Sequence, residues 1–164
     1  MARLWDVAFK GLIGGGTDVR IGTVVLLIVL AGLTVLPVAH GQDSIAAART
    51  QLMTALSDVA DLTHRGTSLS AAHLHMRRMI NCLEGPGGKN FTVAAGNPFQ
   101  GQGSGIFNDL RAAAGNAKVG TALRFAEAAH GFALQGSAST DVGVAQTYAW
   151  MVAFDLNNAL DALR

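Results

Sequence analysis

Residues 21–40 read IGTVVLLIVLAGLTVLPVAH, and no charged side chain occurs between Arg20 and Asp43. At about 1.5 Å of rise per helical residue, twenty such residues match the ~30 Å hydrocarbon core of a bilayer, so the stretch predicts a transmembrane helix. Arg3, Lys10 and Arg20 precede it, whereas only Arg49 lies within the twenty residues that follow. Cationic loops stay on the cytoplasmic side, which places the N-terminus in the cytoplasm and everything beyond His40 outside a bacterial inner membrane. Gly22, Gly32 and Thr34 give the expected span small surfaces on which another membrane helix can pack.

A second reading of the same stretch is a cleaved signal peptide, because Ala39-His40-Gly41 offers small residues where a signal peptidase reads. The twenty residues ahead of the apolar stretch, and its own length, favour an anchor that is retained. Upstream, Leu4, Trp5, Ala8, Phe9, Leu12 and Ile13 recur at helical spacing before Gly14-Gly15-Gly16. This is the pattern of a short interfacial helix with Trp5 at headgroup depth, or else of an unstructured apolar tail. The expected organisation is a cytoplasmic or interfacial segment 1–20, a span 21–40 and a periplasmic domain 42–164.

Composition narrows the function of that outer domain. Of 164 residues, 50% are hydrophobic, 14% are charged, and the net charge is +1. So little charge with so much apolar material excludes a solvated linker and points to surfaces covered by protein or lipid. Nucleic acid is excluded as a partner, since it requires a concentrated basic face, and the part beyond Gln42 carries nine Lys or Arg against nine Asp or Glu.

The outer part has helical periodicity almost throughout. Ile45, Ala48, Leu52, Ala55, Leu56, Val59 and Leu62 form a first stripe, with Asp43 or Ser44 as the expected cap and an end before Gly66. Ser68 or Ser70 opens a second helix bearing Leu69, His73, Met76, Ile80 and Leu83, which Gly85-Pro86 stops. Ile106, Phe107 and Leu110 begin a third helical region, with an interruption near Gly115-Asn116 or Gly120; it resumes through Val119, Leu123, Ala126, His130 and Ala133. Ser139 or Thr140, with Asp141, starts a last helix with Ala145, Tyr148, Val152, Leu156, Ala159 and Leu163 on one face. Helices of this length are not stable alone in water, so the prediction is an all-α chain: one transmembrane helix followed by a four-helix bundle. Alanine and glycine supply much of each stripe. The helices can therefore approach closely but bury little area per contact.

Between the second and third helices lies EGPGGKNFTVAAGNPFQGQGSG, residues 84–105, a Gly-rich loop of unusual length. It lacks the spacing of a phosphate-binding P-loop, because Leu83 stands where the first glycine belongs and Asn90 follows Lys89. It has one carboxylate, Glu84, too few for calcium. The loop reads as a shaped docking loop or a plain connector, with Phe91 and Phe99 as candidate partner anchors. Tyr148, Trp150 and Phe154 on the last helix are further candidates for partner binding.

Chemistry-bearing groups are sparse. His73, Glu127 and His130 could form a metal site, Glu127 and His130 sharing a helix face, with Asp155 as an added ligand. Carboxylate-bridged di-metal bundles require the Glu-x-x-His motif twice, and it occurs once here. His73, His130, Met76 or Met79 could ligate a non-covalent haem, although methionines are the usual filler of irregular cores. Cys82 is the only cysteine, so no internal disulfide is possible, and no nucleophile turn or triad pattern supports hydrolysis. The chain therefore reads as no enzyme, with no cofactor called for.

Two resemblances extend this reading. From His73 through Asn81, Gly85 and Pro86, then Gly96-Asn97-Pro98 and Gly101-Gln102-Gly103, the chain resembles small exported bacterial bundle proteins that pair a helical His/Asn segment with a Gly/Asn/Pro loop. In architecture it is also similar to the single-span accessory subunits of gemmatimonad-type photosynthetic reaction-centre and light-harvesting complexes. That likeness implies a non-catalytic, membrane-anchored assembly role whose partners are the bilayer and other subunits of a membrane complex. The alternative function is a periplasmic metal- or haem-binding bundle for electron transfer or storage.

Overall fold

The structure, a computed structural model, describes residues 38–65 and 68–164, and these are all-helical. Helix α1 spans Val38–Arg65, α2 Leu69–Glu84, α3 Ile106–Ala112, α4 Ala117–Ala138 and α5 Val142–Ala162, with a single 3-10 turn at Val93–Ala95. The expected span falls outside the described residues except for 38–40, and so do Trp5, Gly22, Gly32 and Thr34. No helix among the described residues is long and apolar enough to cross a membrane.

Capping groups explain where most helices start. The Ser68 hydroxyl accepts from the Ala71 N–H (3.3 Å), Asn116 Oδ1 from the Lys118 N–H (3.0 Å), and Asp141 Oδ1 from the Val144 N–H (2.9 Å). Each satisfies an amide that has no partner within its helix. The expected cap of α1 is corrected: Asp43 and Ser44 lie inside that helix, which already includes Val38. The third helical region is also divided, because Ala113, Ala114 and Gly115 leave the helical path and Gly115 takes φ +109° before Asn116 caps a new start.

The helices pack as a ring in which α1 adjoins α2, α2 adjoins α4, α4 adjoins α5, and α5 returns to α1, while α3 packs mainly on α1 and α4. Cross-contacts set the direction of the chain: His73 near the start of α2 meets Ser139 past the end of α4, and Lys118 at the start of α4 meets Arg164 past the end of α5. Neighbours in these two pairs are antiparallel. The interior changes in character across the ring. Leu52, Met76, Met79, Leu83, Phe99, Ile106, Leu110 and Leu156 fill one part with large side chains. Ala122, Ala126, Ala129 and Ala133 of α4 and Ala145, Ala149, Val152 and Ala159 of α5 are all buried, and these two helices pack on each other more extensively than any other pair, a seam rich in small residues that lets backbones run close. Cys82 is wholly buried, and burial, with the charge of Asp58 adding to it, pushes its thiol above the usual range.

Candidate functional site

Two features stand out from this scaffold: a polar system that fixes the Gly-rich loop, and an apolar face that none of the described residues covers. Asn81, fully buried on α2, holds the loop like a backbone surrogate. Its Nδ2 donates to the carbonyls of Thr92 (2.9 Å) and Gly96 (2.7 Å), and its Oδ1 accepts from the Thr92 N–H (2.8 Å). Glu84 holds the first turn of the loop, its Oε2 accepting from the Asn90 N–H and its Oε1 from Asn90 Nδ2, both at 2.6 Å. His130 Nε2 stands 2.6 Å from the same Oε1. Burial works to raise the pKa of Glu84, but the hydrogen bonds from Asn90 and His130 outweigh it and hold the carboxyl below its ordinary value.

The far side of the loop is closed by a second set. Gln51 of α1, fully buried, donates to Asp109 Oδ2 and to the Ala47 carbonyl (3.2 Å), and Asp109 Oδ2 also accepts from the Ser104 N–H (3.1 Å). Thr54 donates to Gln102 Oε1 at 2.7 Å. The loop ends meet at two glycines with positive φ, Gly85 (+76°) and Gly105 (+109°); a Cβ on Gly105 would come within 2.6 Å of the Gly85 backbone. Only glycine fits such an approach.

This arrangement corrects the assignment of Phe99 as a partner anchor. Phe99 is 1% exposed and belongs to the core, and Phe91 is half-buried against it. Their apolar rings are what the loop folds around. Tyr148 is also half-buried, its ring stacked on Phe132 (centroids 6.3 Å apart) and its hydroxyl donating to Gln135 Oε1 (2.8 Å).

The structure does not bring His73, Glu127 and His130 together. His73 Nε2 bonds the Ser139 carbonyl (2.8 Å), near the start of α2. His130 pairs with Glu84 at the other end of that helix and packs edge-on against Phe107. Glu127 points to solvent, 3.9 Å from Arg111. Among the described residues no group of three or more His, Cys, Asp or Glu side chains is placed to hold a metal ion. Met76 and Met79 are wholly buried core residues.

What remains is the outer face of α5. The helix buries Ala145, Ala149, Val152, Leu156 and Ala159, so the period of 3.6 turns Trp150 and Phe154 outward. Trp150 is 62% exposed and Phe154 67%, with Met151 and Val144 beside them also open. Trp150, Met151, Phe154 and Asp155, with Phe132 from α4, line a groove of about 420 Å³. From Val142 to Ala162 the helix carries no Lys or Arg, and its only charges are Asp155 and Asp161. Asp161 is paired with Arg164 at 2.9 Å. Asp155 is only 7% exposed, and among the described residues no hydrogen bond or ion pair reaches it; burial pushes its carboxyl above the ordinary value. Its inward position follows from its place three residues after Val152 and four before Ala159, and its lack of a partner is visible only in the packing. Trp150 and Phe154 are thus large aromatic side chains left open on the surface of α5. Neither the family models, the curated proteins nor the solved structures compared with this chain match it.

Proposed function

We propose that this chain is a non-catalytic assembly subunit of a bacterial membrane complex, held by the 21–40 stretch as a single span, with its helical domain docking on a neighbouring subunit through the outer face of α5. The observation that carries this reading is the exposure of Trp150, Met151 and Phe154 on one helix face. Large apolar side chains grouped on a surface that faces water cost free energy in the isolated subunit, and aromatic residues are the usual anchors where two proteins meet. The low charge of the chain supports the same reading. In the loop, Glu84, Asn90, Thr92 and Gln102 are engaged in internal hydrogen bonds, while on α5 the exposed apolar side chains include two large aromatics.

The test is purification of the full chain from its native membrane with identification of the proteins that accompany it. A stoichiometric partner lost on Trp150→Ala with Phe154→Ala, while the thermal midpoint stays put, is the expected result. A chain that purifies alone, or one whose partners are indifferent to the double substitution, overturns docking through α5. N-terminal sequencing tests the anchor, since a mature chain starting at Gln42 would remove it. A photosynthetic reaction centre with its antenna is the complex that the architectural resemblance favours. Co-sedimentation with pigment absorbance on a density gradient is its expected mark.

A further inference from the structure

We infer that the α5 groove receives one basic side chain, an arginine or lysine projecting from an apolar segment of the partner subunit, with its stem between Trp150 and Phe154 and its charge on Asp155. This rests on the docking reading and specifies what docks. The starting observation is the carboxyl itself. Asp155 is buried to better than nine-tenths, has no protein partner among the described residues, and lines an otherwise apolar groove. Neither of its oxygens is sealed from solvent, so the carboxylate opens into the groove, where a group of opposite charge or a set of donors can reach it.

The walls select among the groups that could do so. Three of the five lining residues are aromatic, Phe132, Trp150 and Phe154. Ring faces carry negative potential and attract a cation, Trp most of all, whereas they offer nothing to a neutral hydroxyl or amide. Met151 supplies a deformable apolar side chain along which methylenes can lie, as the stems of Lys and Arg do. A volume of about 420 Å³ suits one long side chain rather than a folded element. The helix has no cation of its own between Val142 and Ala162, and the charge on its one other acid is already matched by Arg164. The groove is therefore negative, aromatic and incomplete. An arginine fits best, because its flat guanidinium can stack on a ring while donating two parallel hydrogen bonds to a carboxylate.

The experiment uses the full chain in maltoside micelles with Trp5→Phe, which leaves Trp150 as the one indole. Butylguanidinium chloride is titrated at constant ionic strength, with butylacetamide as the neutral analogue of similar shape. The expected result is a saturable change in Trp150 emission with the cation only, weakened at least about tenfold in Asp155→Asn with the helical circular dichroism unchanged. An equal response to the neutral analogue, an unaltered Asp155→Asn titration, or no saturable change overturns the inference. So does a response to phosphatidylcholine vesicles without one to butylguanidinium, which assigns the groove to a lipid headgroup. Self-association abolished by Trp150→Ala assigns it to a second copy and overturns it likewise. If butylguanidinium binds but the double aromatic substitution releases no partner, the docking reading fails and the cation site stands. If partners are released and no cation binds, this inference alone fails.

Discussion

Asn81 shows how much one side chain can carry. Its amide replaces, within the core, the hydrogen bonds that Thr92 and Gly96 would make to a neighbouring strand, so the loop keeps its shape without one. Asn81→Ala should cost about 1–3 kcal/mol in chemical denaturation, because it leaves two carbonyls and an N–H without their partner at a part-buried site. Asn81→Asp should be no better, since a carboxylate can accept from Thr92 but cannot donate. Glu84 adds a pH dependence of definite sign. Its carboxyl is held below the ordinary value of 4.5, so its contribution is complete above that pH and fades as the pH falls through the lowered value. The stability difference between the wild type and Glu84→Gln should therefore be largest near neutrality and shrink in acid, which denaturation curves at several pH values would show. Asn81 and Glu84 were legible only as parts of a helix end; what they hold depends on where a loop of twenty-two residues folds back.

At the scale of the element, the α4–α5 seam depends on small size. Ala126 and Ala129 are wholly buried on α4, the helix that packs most extensively on α5. Ala126→Leu should destabilise by about 1–3 kcal/mol through overpacking, although leucine is nearly as good a helix former as alanine, and a lowered thermal midpoint with unchanged helix content would report it. Helix positions and buried faces were readable because they rest on periodicity: α2 is capped by Ser68, one of the two serines expected there, α5 by Asp141, the last residue of the expected start at 139–141, and Ala48, Leu52, Met76, Leu83, Val152 and Leu156 are inside as their spacing requires. Two things were not readable. The start of α1 was misplaced because Asp43 and Ser44 have the chemistry of a cap but stand inside a helix. The burial of Phe99 was not readable because a glycine-rich stretch gives no period from which to assign a face.

Across the whole molecule, the groove on α5 sets stability against recognition. Burial raises the pKa of Asp155 above 3.8, so its favourable contribution is complete below that pH and is lost as the pH rises through the raised value. Partial burial of this carboxyl therefore works against the stability of the unbound domain once it is ionised. Asp155→Asn should raise the thermal midpoint of the isolated chain near pH 7, with the gain shrinking in acid, and a midpoint that falls instead would show that a partner for the carboxylate exists within the fold. Sequence periodicity indicated that Trp150 and Phe154 face outward, while the isolation of Asp155 emerges only when α4 and α5 are packed. The burial of Cys82 has a practical corollary. With the chain's one sulfhydryl sealed inside α2 and held in its unreactive protonated form, maleimide uptake by the native protein should proceed no faster than the bundle opens. Mass-shift labelling then becomes a clock for breathing of the helices, and a cysteine introduced on the α5 surface can be tagged alone to watch a binding event.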